Sequence, residues 1–315
     1  MPILRSLPMD GSRQATTANS LIQGFTLALE LPHDLPREAY VYELETPKRS
    51  LEFAMDLGWR LGFQGEPSVV KAAYPSFPQY EFQEENRYLR LYLYTLANAF
   101  VYDDPTLFTT LEPPERLPAS KEAAIREAWE YLEDRELLPA DCQQEVAASI
   151  QMGSWPDPAN SQKVRQAPQA WQVVFARELD ARGVGGCWQS GATVIVGTDG
   201  QVAHITWVHR EVAARALYPL RSVDQAWRAL QTGGATRVDS LVLGSGAAMP
   251  PPFTVRVEKV ELGYREAEVT EFQAHFQPFY IFSGTAQQEG KEDSTFPIAL
   301  YIPALAEAYI QTCPR

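Results

Sequence analysis

Three segments of the chain place apolar side chains at the spacing of an amphipathic helix, at positions i, i+3, i+4 and i+7. The segments are 50–58, 124–132 and 222–230, and the last two carry an Ala-Trp pair at the same point of the stripe. The stripes are Leu51, Ala54 and Met55; Ile125, Ala128, Trp129 and Leu132; and Val223, Ala226, Trp227 and Leu230. The spacing therefore predicts three copies of one helix, of which the first is the weakest.

The third segment also carries signals for both helix ends. Ser222 and Gln225 have the spacing of a capping box, in which the two residues satisfy each other's backbone N–H groups. Gly233 is well placed to end the helix, because glycine readily adopts the left-handed conformation found there.

The apolar pattern changes to period 2 after each helix, which is typical of half-buried strands. The turn at 197–200, Gly-Thr-Asp-Gly, favours a hairpin, because Asp-Gly accepts the positive φ angles of a tight turn. The segment 89–100 fits either a strand or a buried helix, and 152–168, with its prolines, is expected to be a long loop. The predicted strands are 69–74, 88–101, 171–178, 193–196, 202–210, 253–262, 275–282 and 296–302.

These elements predict an α+β protein of tandem modules, each a helix packed on a small antiparallel sheet. The 315 residues are enough for two or three packed units, and proline-rich stretches at 103–119 and 233–252 mark the boundaries. We expect a flexible N-terminal segment, 1–20, followed by modules at 21–112, 113–220 and 221–315.

Residues 168–303 resemble the C-terminal modules of YycH/YycI-type regulatory proteins and the related PepSY-like modules. The resemblance lies in a helix that ends in Ala-Trp-x-x-Leu-x-x-Gly and in the strands and links around it. The segments that carry it are 197–202, 218–222, 226–233, 260–264 and 277–282. It implies an extracytoplasmic, non-enzymatic protein of the bacterial cell surface. The full-length protein would be anchored by a membrane helix or a lipid, and would bind a sensor kinase, a peptidase or a wall component.

The charge balance limits the classes of partner. The chain has 27 basic and 40 acidic side chains, for a net charge of −13, which repels phosphate backbones and anionic membrane surfaces. Its apolar runs are far shorter than the ~20 residues of a membrane span, so we expect no membrane insertion and no nucleic-acid partner. Residues 1–20 lack the features of a secretory signal, so the protein is either cytoplasmic or begins after a removed leader.

Cysteine and histidine are too sparse to predict a metal or cofactor site. The three cysteines form no Cys-x-x-Cys pair, and Cys142 and Cys187 are either isolated thiols or one disulfide. Two of the four histidines, His204 and His209, share a predicted strand at an odd separation, so we expect their side chains on opposite faces. We therefore predict no metal ligands and no cofactor.

No catalytic motif is recognisable, and we predict no catalytic residues. The chain has no Gly-x-Ser-x-Gly pentapeptide, and neither 183–186 nor 244–246 opens onto a helix that could complete a phosphate site. Carboxylate pairs such as Glu258 with Glu261 are expected to be solvated. A carboxylate-based hydrolase would need two carboxyl groups facing each other in a cleft, roughly 5–9.5 Å apart.

Two tryptophans are candidates for contact with a partner. Trp155 and Trp188 lie among Gly, Pro, Ser, Asp and Gln residues, where burial in a core is harder to achieve. We therefore predict a non-catalytic binding or regulatory protein that contacts a protein or peptide, with strand addition at an exposed sheet edge as the mode of binding. The alternatives are a carboxylate-based hydrolase acting on a cell-wall polymer and a structural spacer.

Overall fold

The fold was obtained as a computed structural model of the whole chain. The residues that it describes are 4–5, 22–46, 50–71, 78–84, 89–94, 97–104, 120–143, 145–157, 160–185, 190–197, 200–232, 237–239, 252–267, 269, 271–290 and 295–311.

The three helices of the described chain lie where the apolar stripes predicted them. They are α1 (Leu51–Arg60), α2 (Lys121–Glu133) and α3 (Val223–Gln231), and short 3₁₀ turns occur at Ala140–Cys142 and Glu307–Tyr309. Each helix begins after a serine, Ser50, Ser120 or Ser222, whose hydroxyl accepts a hydrogen bond from the backbone N–H three residues on. The capping box at Ser222 and Gln225 is confirmed. The third helix ends at Gln231, and Gly233 lies outside the described residues.

Strands hold most of the remaining regular structure. They are β1 (Leu4–Arg5), β2 (Ile22–Leu27), β3 (Glu38–Leu44), β4 (Ser68–Lys71), β5 (Pro78–Glu84), β6 (Leu89–Tyr94), β7 (Ala99–Asp103), β8 (Glu145–Asp157), β9 (Asn160–Ala176), β10 (Glu178–Leu179), β11 (Arg182–Gly185), β12 (Gly191–Val196), β13 (Val202–Val208), β14 (Val212–Pro219), β15 (Arg237–Asp239), β16 (Phe253–Arg265), β17 (His275–Phe276), β18 (Pro278–Gln288), β19 (Thr295–Pro303) and β20 (Ile310–Gln311).

The chain divides into two compact units, each assembled from separated stretches of sequence. Unit 1 comprises Met1–Leu44, Val212–Arg265 and Gln273–Arg315, and unit 2 comprises Glu45–Glu211 and Glu266–Phe272. The module ranges 21–112, 113–220 and 221–315 stay a prediction, and the boundary between 112 and 113 falls outside the described residues.

Unit 2 is built on one antiparallel sheet with the strand order β4-β5-β6-β7-β13-β12-β9-β8. Both α1 and α2 pack on this sheet, because the buried side chains of the two helices belong to one apolar cluster with those of the strands. Ala54 and Leu57 come from α1, Ala128 and Leu132 come from α2, and Phe175 is one of the strand residues between them. The ring of Trp129 lies 5.9 Å from that of Phe175.

Five strands of unit 1 belong to one sheet and follow the order β2-β16-β18-β19-β15, in which β2 runs parallel to β16 and the other pairs are antiparallel. Helix α3 buries Val223, Ala226 and Leu230 in the same apolar cluster as this sheet. The Trp227 ring contacts those of Phe25 and Phe282, at centroid distances of 6.2 and 5.8 Å. Strands β14, β3 and β17 form a smaller sheet, and β1 pairs with β20.

The prediction of α+β tandem modules, each with one helix on its own small sheet, is wrong. The described structure is mostly β, with three helices and several sheets, and α1 and α2 share one eight-stranded sheet. The stripe of a helix reports which of its faces is buried, but it carries no information about the strands that cover that face. The repeat therefore predicted the helices and not the architecture.

Two segments with uncertain patterns form strands. Residues 89–100 contribute to β6 and β7, which pair with each other, so the helical alternative for this segment is excluded. The loop predicted at 152–168 is wrong, because these residues lie in the long pair β8–β9. Prolines are tolerated in strands that lie at a sheet edge, and both Pro156 and Pro168 lie where β8 and β9 pair with no third strand of the described residues. Strands β12 and β13, on either side of 197–200, pair antiparallel as the predicted hairpin requires, and Thr198 and Asp199 of its turn lie outside the described residues.

Candidate functional site

The pair β8–β9 extends beyond the sheet of unit 2. Strand β12 pairs with residues 171–176 of β9, so residues 160–170 of β9 pair with β8 alone among the described strands. Strand β8 ends the sheet, and no described strand pairs with its outer edge. We call residues 150–157 and 160–170 the ribbon arm.

One face of the ribbon arm carries exposed apolar side chains. Ile150 and Met152 continue the alternation of Val146 and Ala148, which pack on the core of unit 2. Ile150 is 48% exposed, Met152 55% and Val164, on the opposite strand, 64%. The side chain of Gln166 donates a hydrogen bond to Ser154 Oγ across the two strands, which places Met152 and Val164 on the same face. The core-facing side of the sheet thus continues into solvent-exposed apolar surface.

The two tryptophans predicted to contact a partner differ in what the structure describes. Trp155 lies on β8 within the ribbon arm, opposite Arg165 on β9, although its side chain lies outside the described residues. Trp188 lies outside the described residues altogether. Their role as partner contacts therefore stays a prediction.

A second cluster in unit 2 gathers polar side chains around Asp141. This residue lies in the 3₁₀ turn after α2, whereas Arg177 directly follows β9 and His209 directly follows β13. Arg177 Nε donates to Asp141 Oδ2 at 2.8 Å, and His209 Nε2 lies 2.9 Å from Oδ1. The thiol of Cys142 also donates to Oδ1, at 3.6 Å. Three chain segments that are distant in sequence therefore meet at one carboxylate.

Electrostatics keep this carboxylate ionised and the neighbouring thiol protonated. Burial alone would raise the pKa of Asp141, but the hydrogen bond from His209 and the charge of Arg177 together lower it to about 2. Burial raises the pKa of Cys142 well above its ordinary value, and the negative charge of Asp141 raises it further. Cys142 is a free and fully buried thiol, so it is not a reactive thiolate in this state.

A buried ion pair lies in the same unit. Arg210 Nη1 donates to Glu266 Oε1 at 2.8 Å, and both side chains are at most 2% exposed. The hydroxyl of Ser190 donates to the other oxygen of Glu266, and the backbone N–H of Glu266 donates to Gly185 O. The Glu266 carboxylate is thus held by a cation and a hydroxyl, as a buried charge requires.

A cavity of about 270 Å³ adjoins the Asp141 cluster through His209. Seven of its twelve lining residues are apolar or aromatic, and five are polar or charged. The apolar and aromatic lining residues are Phe53, Leu57, Phe100, Leu137, Leu138, Pro139 and Trp207, and the remaining ones are Arg60, Asn98, Glu136, His209 and Glu211. The indole N–H of Trp207 donates to Leu137 O at 2.8 Å and so fixes one wall.

The sequence did not predict the cluster around Asp141. No metal ligands were expected, yet the ligand atoms of Asp141, Cys142 and His209 lie within 4.8 Å of one another. The expected opposite orientation of His204 and His209 is confirmed, since His204 contacts Asp103 and Thr206 whereas His209 lies beside Trp207. The sequence shows only that Cys142 directly follows Asp141, which puts two possible ligands side by side. Nothing in the sequence predicts that His209 lies beside these two residues.

Comparison with known proteins identifies no family. No protein-family model matches the chain, and no curated protein matches it. Among solved structures, an uncharacterized protein from Eubacterium rectale ATCC 33656 aligns with a TM-score of 0.44 at 10% sequence identity, covering 84% of this chain and 82% of that one. A likeness at this level supports no conclusion about fold or function. None of the described helices is long and apolar enough to span a membrane.

Proposed function

We propose that the protein is a non-catalytic binding protein that docks an extended segment of a partner protein on the ribbon arm. The observation that supports this proposal is the outer edge of β8, with which no strand of the described residues pairs, next to a face with three exposed apolar side chains. Neither feature is needed to complete the sheet of unit 2, because the core of that sheet is formed by the other residues of its strands.

Strand addition uses the backbone groups of the edge. An edge strand presents N–H and C=O groups that another extended chain can pair with, and this pairing supplies affinity without requiring a particular sequence. Strand β8 has 13 residues, so it offers a longer edge than most strands. A partner segment added beside β8 would become the ninth strand of the sheet.

The apolar face supplies selectivity. Ile150, Met152 and Val164 lie on the continuation of the core-facing side, so a partner side chain that packs on them would extend the core of unit 2. Exposed apolar surface that continues a core is typical of interaction sites. The net charge of −13 favours a basic partner over an acidic one, because opposite charge accelerates encounter.

The test combines capture and direct binding. A photoreactive amino acid at position 152 should crosslink the same protein reproducibly in cells of the native source, and that protein should then be purified. We expect Met152→Lys to weaken its binding by about 2 kcal/mol, roughly thirtyfold, which is the size of a central contact in an interface. Isothermal titration calorimetry measures both the affinity and the stoichiometry.

Trp59 supplies the matched control. It is 59% exposed and lies on α1 of the same unit, so Trp59→Lys also replaces an exposed apolar side chain by a cationic one, away from the ribbon arm. The control should bind the partner with unchanged affinity. Equal losses in both variants, or normal binding by Met152→Lys, would contradict docking on the arm.

The location and the alternative functions stay predictions. An extracytoplasmic position, with an anchor in the full-length protein, was implied only by the resemblance to YycH/YycI-type proteins. Fractionation of native cells, with detection of the full-length gene product, tests it against a cytoplasmic position. An activity assay on wall polymers tests the carboxylate-based hydrolase. The crosslinking experiment tests the structural spacer, which would capture no partner.

A further inference from the structure

Three side chains in unit 2 supply the ligand types that zinc prefers. Asp141 offers a carboxylate oxygen, Cys142 a sulfur and His209 a ring nitrogen, and these atoms all lie within 4.8 Å of one another. A carboxylate, a thiolate and an imidazole together match the borderline-soft character of Zn²⁺ rather than the oxygen ligands of Mg²⁺ or Ca²⁺. We propose that Asp141, Cys142 and His209 bind one Zn²⁺ ion.

Two of the separations between the ligand atoms can be compared with those around a tetrahedral ion. Zinc–ligand distances of about 2.0–2.3 Å imply ligand atoms about 3.4 Å apart for oxygen and nitrogen, and about 3.6 Å apart for oxygen and sulfur. Asp141 Oδ1 lies 2.9 Å from His209 Nε2 and 3.6 Å from Cys142 Sγ. The oxygen and sulfur are therefore at the required separation, and the imidazole needs to move by about half an ångström.

The ion would take the place of two hydrogens. The His209 N–H and the Cys142 S–H now both point at Asp141 Oδ1. On binding, the thiol gives up its proton to solvent, and the His209 proton moves to the other ring nitrogen, which leaves a sulfur and a nitrogen lone pair for Zn²⁺. The thiolate and carboxylate together balance the two charges of the ion, so the ligated centre is neutral.

Arg177 orients the carboxylate for this role. Its Nε donates to Asp141 Oδ2 at 2.8 Å, and its side chain is 1% exposed. Oδ2 is thereby engaged, which leaves Oδ1 as the oxygen that faces Cys142 and His209. A hydrogen bond to the second oxygen of a ligating carboxylate is a common feature of metal sites, and its loss weakens metal binding about 10- to 100-fold. Arg177 is thus a positioning residue and not a ligand.

Cobalt titration of the whole protein tests the proposal. After removal of metals with a chelator, Co²⁺ should bind with a stoichiometry of one and produce the near-ultraviolet absorption of a cobalt–thiolate bond. Zn²⁺ should then displace the cobalt and abolish the band. No band, or a band without saturation at one equivalent, would overturn the proposal.

Matched variants assign the ligands. Cys142→Ser and His209→Gln should each weaken Zn²⁺ binding by more than the 10- to 100-fold expected for Arg177→Lys, and Cys142→Ser should lose the cobalt–thiolate band. Cys313→Ser and His204→Gln change the same residue types elsewhere and should keep both the band and the affinity. A band that survives in Cys142→Ser would overturn the assignment.

A second measurement remains decisive if Cys142→Ser fails to fold. The variant Cys187→Ser/Cys313→Ser retains Cys142 as the one cysteine of the chain. X-ray absorption of its zinc-loaded form should show one sulfur at about 2.3 Å, together with nitrogen or oxygen ligands at about 2.0–2.2 Å. A zinc spectrum without sulfur would overturn the proposal. The outcome is independent of the ribbon arm, so failure here leaves the proposed partner binding standing.

Discussion

At the scale of single residues, the Asp141 carboxylate links the stability of unit 2 to pH. Its pKa is lowered to about 2 from an ordinary value of 3.8, so the folded state favours the ionised form. The resulting stabilisation is fully present above the unfolded pKa and is lost as the pH falls through the folded pKa. The difference corresponds to about 2 kcal/mol in the free energy of unfolding.

The variant Asp141→Asn should reveal this contribution, because it keeps the shape of the side chain without its charge. Urea unfolding in the presence of a chelator should give a variant less stable than the wild type by at least about 2 kcal/mol at pH 6. The difference between the two free energies of unfolding should decrease steadily between pH 4 and pH 2. Asp180→Asn, at a side chain 40% exposed, serves as the control and should show little change. A gap that is constant with pH would contradict the assignment.

Residues of the helix stripes could be predicted from sequence, whereas the residues around Asp141 could not. The buried positions Ala128, Leu132 and Leu230 follow from local spacing, since a helix brings residues three and four apart onto one face. Asp141 and His209 are separated by 68 residues, and Asp141 and Arg177 by 36. Their meeting depends on where β9 and β13 end in the folded sheet, which no local pattern records.

At the scale of elements, the distance between α1 and the sheet of unit 2 depends on Gly58. A Cβ at this position would lie 2.6 Å from Cε1 of Phe82, a buried residue of β5. The Gly58→Ala variant should therefore force the helix or the ring to move. Overpacking of a core costs about 1–3 kcal/mol, and the better helix propensity of alanine offsets about 1 kcal/mol. We expect a net loss of about 1 kcal/mol.

Thermal and urea unfolding measure this loss, and Phe82→Leu tests its cause. If the Phe82 ring is the obstacle, the double variant should be more stable than the sum of the single effects predicts. Gly65→Ala is the control, because no atom lies within 4 Å of a Cβ placed there. Higher stability in Gly58→Ala than in the wild type would show that the helix approaches the sheet less closely.

The helices were predictable because their signals are local, while the ribbon arm was not. The serine caps and apolar stripes lie within single segments of about ten residues, and all three helices form at those positions. The residues of 152–168 include three prolines and many polar side chains, which is typical of loops. They form strands because β8 and β9 pair with each other over 13 positions. The apolar pattern of a single segment does not predict which other segment it pairs with.

At the scale of the whole molecule, the order of residues along the chain is a poor guide to which residues fold together. The chain leaves unit 1 after Leu44, returns at Val212, and contributes Glu266–Phe272 to unit 2 from within the C-terminal part. The prediction of modules in tandem assumed that neighbours in sequence share a core. That assumption fails here, because α1 and α2 were assigned to different modules and yet share one sheet.

The short segment Glu266–Phe272 makes a strong prediction about unit 2. It brings Glu266 to the buried guanidinium of Arg210, and it brings Val269 into an apolar cluster with Ala99 and Val208. Removing one charge of a buried ion pair costs about 3–5 kcal/mol, because the other charge stays buried. The variant Glu266→Gln should therefore destabilise unit 2 by about this amount, although residue 266 is distant in sequence from most of that unit.

Hydrogen exchange followed by mass spectrometry can locate this loss. In Glu266→Gln, amide protection should fall first in β12 and β13 of unit 2, while β18 and β19 of unit 1 retain more of theirs. Glu258→Gln is the matched control, because the Glu258 side chain is 49% exposed. This variant should leave the amide protection of all four strands unchanged. Equal loss of protection in the two units would mean that they unfold as one cooperative body. Greater loss in β18 and β19 would contradict the assignment of Glu266–Phe272 to unit 2.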